Sequence, residues 1–244
     1  MYDALAFNIR PQPDDTTCGP TCLHAVYRYY GLDIDLARLV EQTRTLTGGG
    51  TLAAFLGAHA LDQGFGADIY TYDLKVFDPT WFDTPGVPIR DKLVEQLQHK
   101  DDDKLAEATD AYIDFIDRGG RLHLEDLTTA LIRRHLKRGV PILAGLSATY
   151  LYRTPREWGP DDDFDDIRGQ PSGHFVVMHG YDPERREVLI ADPTRPGPFL
   201  EEQVYRVSIY RVICAVMLGV LTYDANLLMI EPRRKGKHGH ADRR

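Results

Sequence analysis

Four side chains in this 244-residue sequence have the types and settings that acyl chemistry requires: Cys18, His174, Asp192 and Gln12. Cysteine attacks a carbonyl carbon as the thiolate, and a thiol at the start of a helix is drawn toward that form by the helix dipole and the free N–H groups there. Cys18 is followed by Gly19, which lets a substrate approach the backbone closely, and by Pro20, which suits the first turn of a helix. The N–H of Cys18 is one donor for a developing oxyanion. The side-chain amide of Gln12, upstream across a tight loop, is a second. The base must be brought in by the fold, and of the nine histidines His174 has the best context. It follows Ser172 and Gly173 and opens the apolar run Phe175 to Met178, so it projects from the start of a strand. Asp192 ends the next apolar run, Val188 to Ala191. A hairpin pairing these strands sets its carboxylate beside the imidazole and fixes ring orientation and tautomer.

The elements that must hold these groups can be read from periodicity. A short extended lead, Ala4 to Arg10, runs into a turn-rich stretch, and a core helix spans Pro20 to Tyr30 with apolar residues at three- and four-residue spacing and Gly31 at its end. Helices follow over Asp35 to Thr43 and Thr51 to Gln63, separated by Gly48 to Gly50, and Ala67 to Tyr72 alternates as a strand. Residues 88–117 form a charged helical insertion with an exposed corner at Gln98 to Lys104, and Leu124 to Arg138 is a further helix. Val140 opens a buried strand leading to Leu151 and Tyr152, and 153–172 is a long acidic loop. The strands His174 to Tyr181 and Arg186 to Asp192 make the hairpin, Glu201 to Val220 is helical, and Ala225 to Glu231 is a last strand. The expected architecture is α+β: a helical half bearing the thiol at a helix N-terminus, packed on an antiparallel β-sheet that bears His174 and Asp192. Residues 1–232 form one domain, and 233–244 a basic, disordered tail.

Bulk properties narrow the function classes. Composition is ordinary for a globular chain, with 43% hydrophobic and 27% charged residues. A net charge of −8 argues against nucleic acid as partner, since the dense basic run is confined to Arg233 to Lys237 and Arg243 to Arg244. Met1 to Leu5 lacks a basic and apolar signal pattern, and Ile213 to Leu221 is too short to span a bilayer, so a cytoplasmic protein without membrane contact is expected. Three cysteines make no disulfide framework; Cys22 and Cys214 read as core residues. No phosphate-binding glycine loop occurs. Cys18, Cys22 and His24 lack a usual zinc spacing, and Asp161 to Asp166 lacks the pattern of a calcium loop, so no metal or organic cofactor is expected.

Gln12, Cys18, Gly19, Pro20 and Cys22, then Gly173 to Val177, then Ala191, Asp192 and Pro193, resemble the motifs of the C39-type and C39-like cysteine peptidases of the papain-like clan. The resemblance covers residues 12 to about 196 and implies a papain-like fold. It also implies a Cys18–His174 catalytic pair, Asp192 orienting the base, Gln12 in the oxyanion hole, and a peptide or protein substrate. Thr17 stands where bacteriocin-processing members commonly carry Asp, which argues against leader-peptide cleavage during export. Two further readings stay open: a same-clan acyltransferase, as phytochelatin synthase is, in which an amine resolves the thioester, and a pseudoenzyme that binds a peptide in a silent cleft. The acidic loop directly before His174 would hang over the cleft and favour a basic substrate.

Overall fold

The computed structural model describes residues 3–196 and 200–233. Its centre is an eight-stranded sheet covered on both faces by helices, an α+β arrangement. The first half supplies β1 (Asp3–Ala4), α1 (Cys18–Tyr29), α2 (Leu36–Gln42), α3 (Ala53–Asp62), β2 (Phe65–Thr71), α4 (Thr80–Asp83), α5 (Ile89–Leu97), α6 (Asp103–Asp117) and β3 (Arg121–His123). The second supplies α7 (Thr129–Lys137), β4 (Ile142–Ser147), α8 (Ala148–Tyr152), β5 (Glu157–Trp158), β6 (Asp163–Phe164), β7 (Gly173–Asp182), β8 (Glu187–Ala191), β9 (Val204–Ser208), α9 (Ile209–Leu218) and β10 (Asn226–Pro232). Strand order is β3-β2-β10-β4-β7-β8-β9, with β1 added beside β7. All pairs are antiparallel except β2 with β3.

Period-two alternation decides the layering. Phe175 and Val177 of β7 point into one core with Cys22, Leu23 and Val26 of α1, Leu56 of α3 and Phe115 of α6. Val176 and Met178 point the other way, into a second core with Ile132 and Leu136 of α7 and Val212 and Val216 of α9. With both faces covered, β4 and β7 are buried along almost their whole length, which is why they read as unbroken apolar runs instead of alternating ones.

Several expected boundaries move. The expected helix over Leu124 to Arg138 begins only at Thr129, where the Thr128 hydroxyl caps Leu131 N–H, and Arg121–His123 joins the sheet instead. The expected helix over Glu201 to Val220 is strand β9 followed by α9. Val204, Tyr205 and Val207 favour a strand, and pairing with β8 overrides a helical reading. The acidic segment 153–172 carries the β5–β6 hairpin. Cys214 is exposed, not a core residue, whereas Cys22 is fully buried. Within 88–117, α6 buries Leu105, Ala108, Ala111, Tyr112 and Phe115 against the main core. Apart from Arg233, whose Nε donates to Phe65 O, the expected tail lies outside the described residues. Among the described residues no helix is long and apolar enough to cross a membrane.

Candidate active site

Cys18 is the first residue of α1, not the residue before it. Pro20 falls in the first turn, where the missing N–H would have had no helical partner. The residue ahead, Thr17, offers its hydroxyl to Asp14 O and accepts from Asp14 N–H, so its side chain does not cap the helix. That leaves the first-turn amides of α1 without a side-chain acceptor, at the positive end of the helix dipole. Gly19 serves packing: a Cβ there would run into the Thr51 methyl and crowd Phe175. Cys22, one turn on, donates its Sγ proton to Phe175 O at 3.2 Å and ties α1 to β7 beside His174.

His174 is the second residue of β7, placed opposite Leu146 of β4, and only 7% of it is exposed. Val177 pairs with Ala191, so Asp192 leaves β8 level with the start of β7. Asp192 is fully buried, and its Oδ1 lies 2.9 Å from His174 Nε2. The carboxylate also accepts from Thr194 N–H on Oδ1 at 2.9 Å, and from the hydroxyls of Tyr152 and Tyr205 on Oδ2, each at 2.8 Å. An ionised carboxylate only accepts, so Nε2 carries a proton and Nδ1 is left as the nitrogen available to the thiol. Thr194 Oγ1 lies 3.2 Å from the same Nε2.

Burial alone would push the His174 imidazole down, but the Asp192 charge and hydrogen bond, with a smaller contribution from Cys18, hold it up at about 10. Burial would likewise raise Asp192, yet the His174 charge and the donors around it keep the carboxyl at about 2. Burial and then the Asp192 charge push both tyrosine hydroxyls up, so they remain donors.

The segment after Asp192 also holds Gln12. Gln12 N–H donates to Pro193 O at 2.7 Å, and Arg195 donates to Gln12 O and Pro13 O. The Gln12 side chain is buried, with Oε1 free of any hydrogen-bond partner, and it lines a cavity of about 300 Å³ together with His174, Tyr152 and Thr194. Glu157, Asp162 and Phe164 of the β5–β6 hairpin also line it. A second cavity, about 180 Å³, holds Cys18 and meets the first at Asp15, Gly173 and His174.

The structure therefore gathers Cys18, His174 and Asp192 at one point and sets Gln12 in the adjoining cavity. Tyr152, Tyr205 and Thr194 were not legible as site residues. Thr194 lies two residues after Asp192 in an Asp-x-Thr turn that could have flagged it, whereas Tyr152 and Tyr205 come from other elements and no spacing links them to Asp192. Of the acidic run, Asp162 reaches the cavity, while Asp165 is engaged by Arg168 at 2.6 Å and by two backbone N–H groups. Among the described residues no three His, Cys, Asp or Glu side chains are grouped to hold a metal ion.

Several solved structures align with most of this chain. A C39-like peptidase candidate from Bacillus anthracis aligns over 96% of this chain and 100% of its own, with a TM-score of 0.52 and 15% identity. Xylellain, a cysteine protease from Xylella fastidiosa, aligns over 96% and 86% with a TM-score of 0.45 and 15% identity. The peptidase domain of Streptococcus ComA aligns over 92% and 98% with a TM-score of 0.44 and 18% identity. No curated protein matches. The model of the Peptidase_C39 like family matches residues 4–208, so this chain belongs to the C39-like peptidase family and has its papain-like α+β fold.

Proposed function

We propose that the chain is a thiol-dependent amide hydrolase acting on a peptide or protein, with Cys18 as nucleophile, His174 as its base and Asp192 as the group that orients and charges the base. The observation that carries this reading is the buried His174–Asp192 pair at 2.9 Å, directed at a thiol on the first residue of a helix. In the resting site the proton of Cys18 sits on His174, giving a thiolate–imidazolium pair that Asp192 stabilises. The thiolate attacks the carbonyl carbon; the Cys18 N–H and the Gln12 amide donate to the oxyanion. His174 then protonates the leaving amine as the thioester forms. Water, deprotonated by His174, releases the acid and restores the thiol. Free cysteines suit a reducing, cytoplasmic setting. Asp162 and Glu157 give the Gln12 side of the cleft an acidic wall, in keeping with a basic substrate.

The test is iodoacetamide alkylation of Cys18 as a function of pH. Reaction should proceed well below pH 8 and lose that early phase in His174→Ala; a rate rising only near the ordinary thiol pKa of about 8.5 refutes the ion pair. Mass detection of hydrolysis and amine-transfer products from a peptide library, against Cys18→Ala, separates hydrolysis from acyl transfer.

A further inference from the structure

The second cavity contains a group that the reaction above does not use. Asp224 lies two residues before β10, in the connection after α9, and it lines the cavity together with Cys18, His174, Phe175, Leu46 and Lys104. Only 8% of it is exposed. A carboxylate so placed is costly unless paired, and among the described residues none forms an ion pair with it. The neighbouring Thr222 hydroxyl donates to Gly219 O at 3.2 Å, and the Lys104 ammonium rests over the Tyr223 ring at 5.0 Å. The position is also built for the group. Gly173, next to His174, has no room for a Cβ, because one would collide with Asp224 Oδ2 and sit 2.8 Å from Thr222 Oγ1.

We propose that Asp224 forms the floor of a side-chain subsite, on the side of Cys18 away from Gln12, that admits an arginine or lysine of the substrate peptide next to the bond attacked. This rests on the cysteine-peptidase reading and names the substrate class at that same site. The cavity of about 180 Å³ has room for one long side chain. Phe175 and Leu46 supply apolar wall for its methylene stem, and the carboxylate receives its charged head. Burial pushes the Asp224 carboxyl up to about 7; Thr222, Lys104 and His174 pull it down and Asp73 pushes it further up. A cation entering the subsite favours the ionised form, so preference for it grows from pH 6 to pH 8.

The experiment uses the full chain and three matched sets of peptidyl fluoromethyl ketones, carrying arginine, norleucine or glutamate at either of the two residues before the reactive carbon. Labelling rates at Cys18 are divided by the iodoacetamide rate of the same protein. Arginine should exceed norleucine by about thirtyfold at one position, the scale of a partly desolvated charge pair. The ratio should fall below about threefold in Asp224→Asn and rise in Lys104→Ala, which removes a competing cation. Equal rates for arginine and norleucine in the unmodified protein overturn the subsite whether or not the variants fold. So does a preference that survives Asp224→Asn, or one abolished by Asp162→Asn alone. Fast iodoacetamide reaction with no arginine preference sinks this inference only; slow, ordinary-thiol reaction sinks the peptidase reading and the subsite with it.

Discussion

Replacing Asp192 by Asn tests the electrostatics of the site with little change of shape. The amide oxygen can still accept from His174 Nε2 and Thr194 N–H, and its NH₂ faces the hydroxyls of Tyr152 and Tyr205, which can turn to accept. What is lost is one buried negative charge. With Asp192 ionised, His174 titrates at about 10. At pH 7 a ring with that pKa lacks its proton in about one molecule in a thousand. Burial, the largest single influence on the ring, pushes it down, so without the carboxylate it falls to or below its ordinary 6.5. At pH 7 at most about one ring in four would then be protonated. Asp192 thus keeps the ring charged at neutral pH, with a smaller contribution from Cys18. We expect Asp192→Asn to slow iodoacetamide alkylation of Cys18 at pH 6 by roughly ten- to a hundredfold and to shift its pH profile toward that of a free thiol. Peptide-resolved mass spectrometry is needed, because exposed Cys214 also consumes reagent while Cys22 is shielded. An Asp192→Asn protein with unchanged rate and pH profile would refute the argument that this carboxylate charges the base.

Two other outcomes follow from buried groups around the site. Tyr152→Phe and Tyr205→Phe each remove one of the two hydroxyls on Asp192 Oδ2 and should each cost about 1 kcal/mol in denaturant unfolding. The double variant should cost more than the sum, since Oδ2 then has no donor; strict additivity would show that the tyrosines do not share one acceptor. Asp224→Asn should behave oppositely. Its carboxyl is raised from 3.8 to about 7 in the folded chain, so the burial penalty is absent below pH ~4, grows as pH rises, and is complete above about 7. The variant should therefore gain stability relative to the natural chain at pH 8, by up to ~4 kcal/mol, and gain less at pH 5. Equal gains at both pH values would mean that Asp224 is not held against its charge.

The hairpin bearing His174 and Asp192 was legible because each strand is an unbroken apolar run bounded by turn residues, and antiparallel pairing leaves little freedom for where Asp192 emerges. A helix start close to Cys18 was legible from Pro20 and from the spacing behind it, though the helix begins at Cys18 and not at Pro20. What escaped detection depends on long-range pairing. Arg121–His123 is too short to carry a pattern and is a strand only because β2 offers an edge. Val204–Ser208 abuts a strongly amphipathic helix that masks its own preference. The two tyrosines on Asp192 and the acid in the second cavity are single residues on α8, on β9 and just before β10, and only the closed sheet brings them together.

The place of β10 bears on how the chain comes to be active. The last described strand lies in the interior of the sheet, pairing Asn226 with both Thr71 and Gly145, between strands made much earlier. Until it arrives, β2 and β4 have no common neighbour, and α3, which packs on both β2 and β10, lacks part of its support. Such closure joins partners far apart in the chain and is slow compared with local helix formation. Strand β10 is therefore the seam that joins β2 and β3 to β4, β7, β8 and β9, the part of the sheet that bears His174 and leads to Asp192.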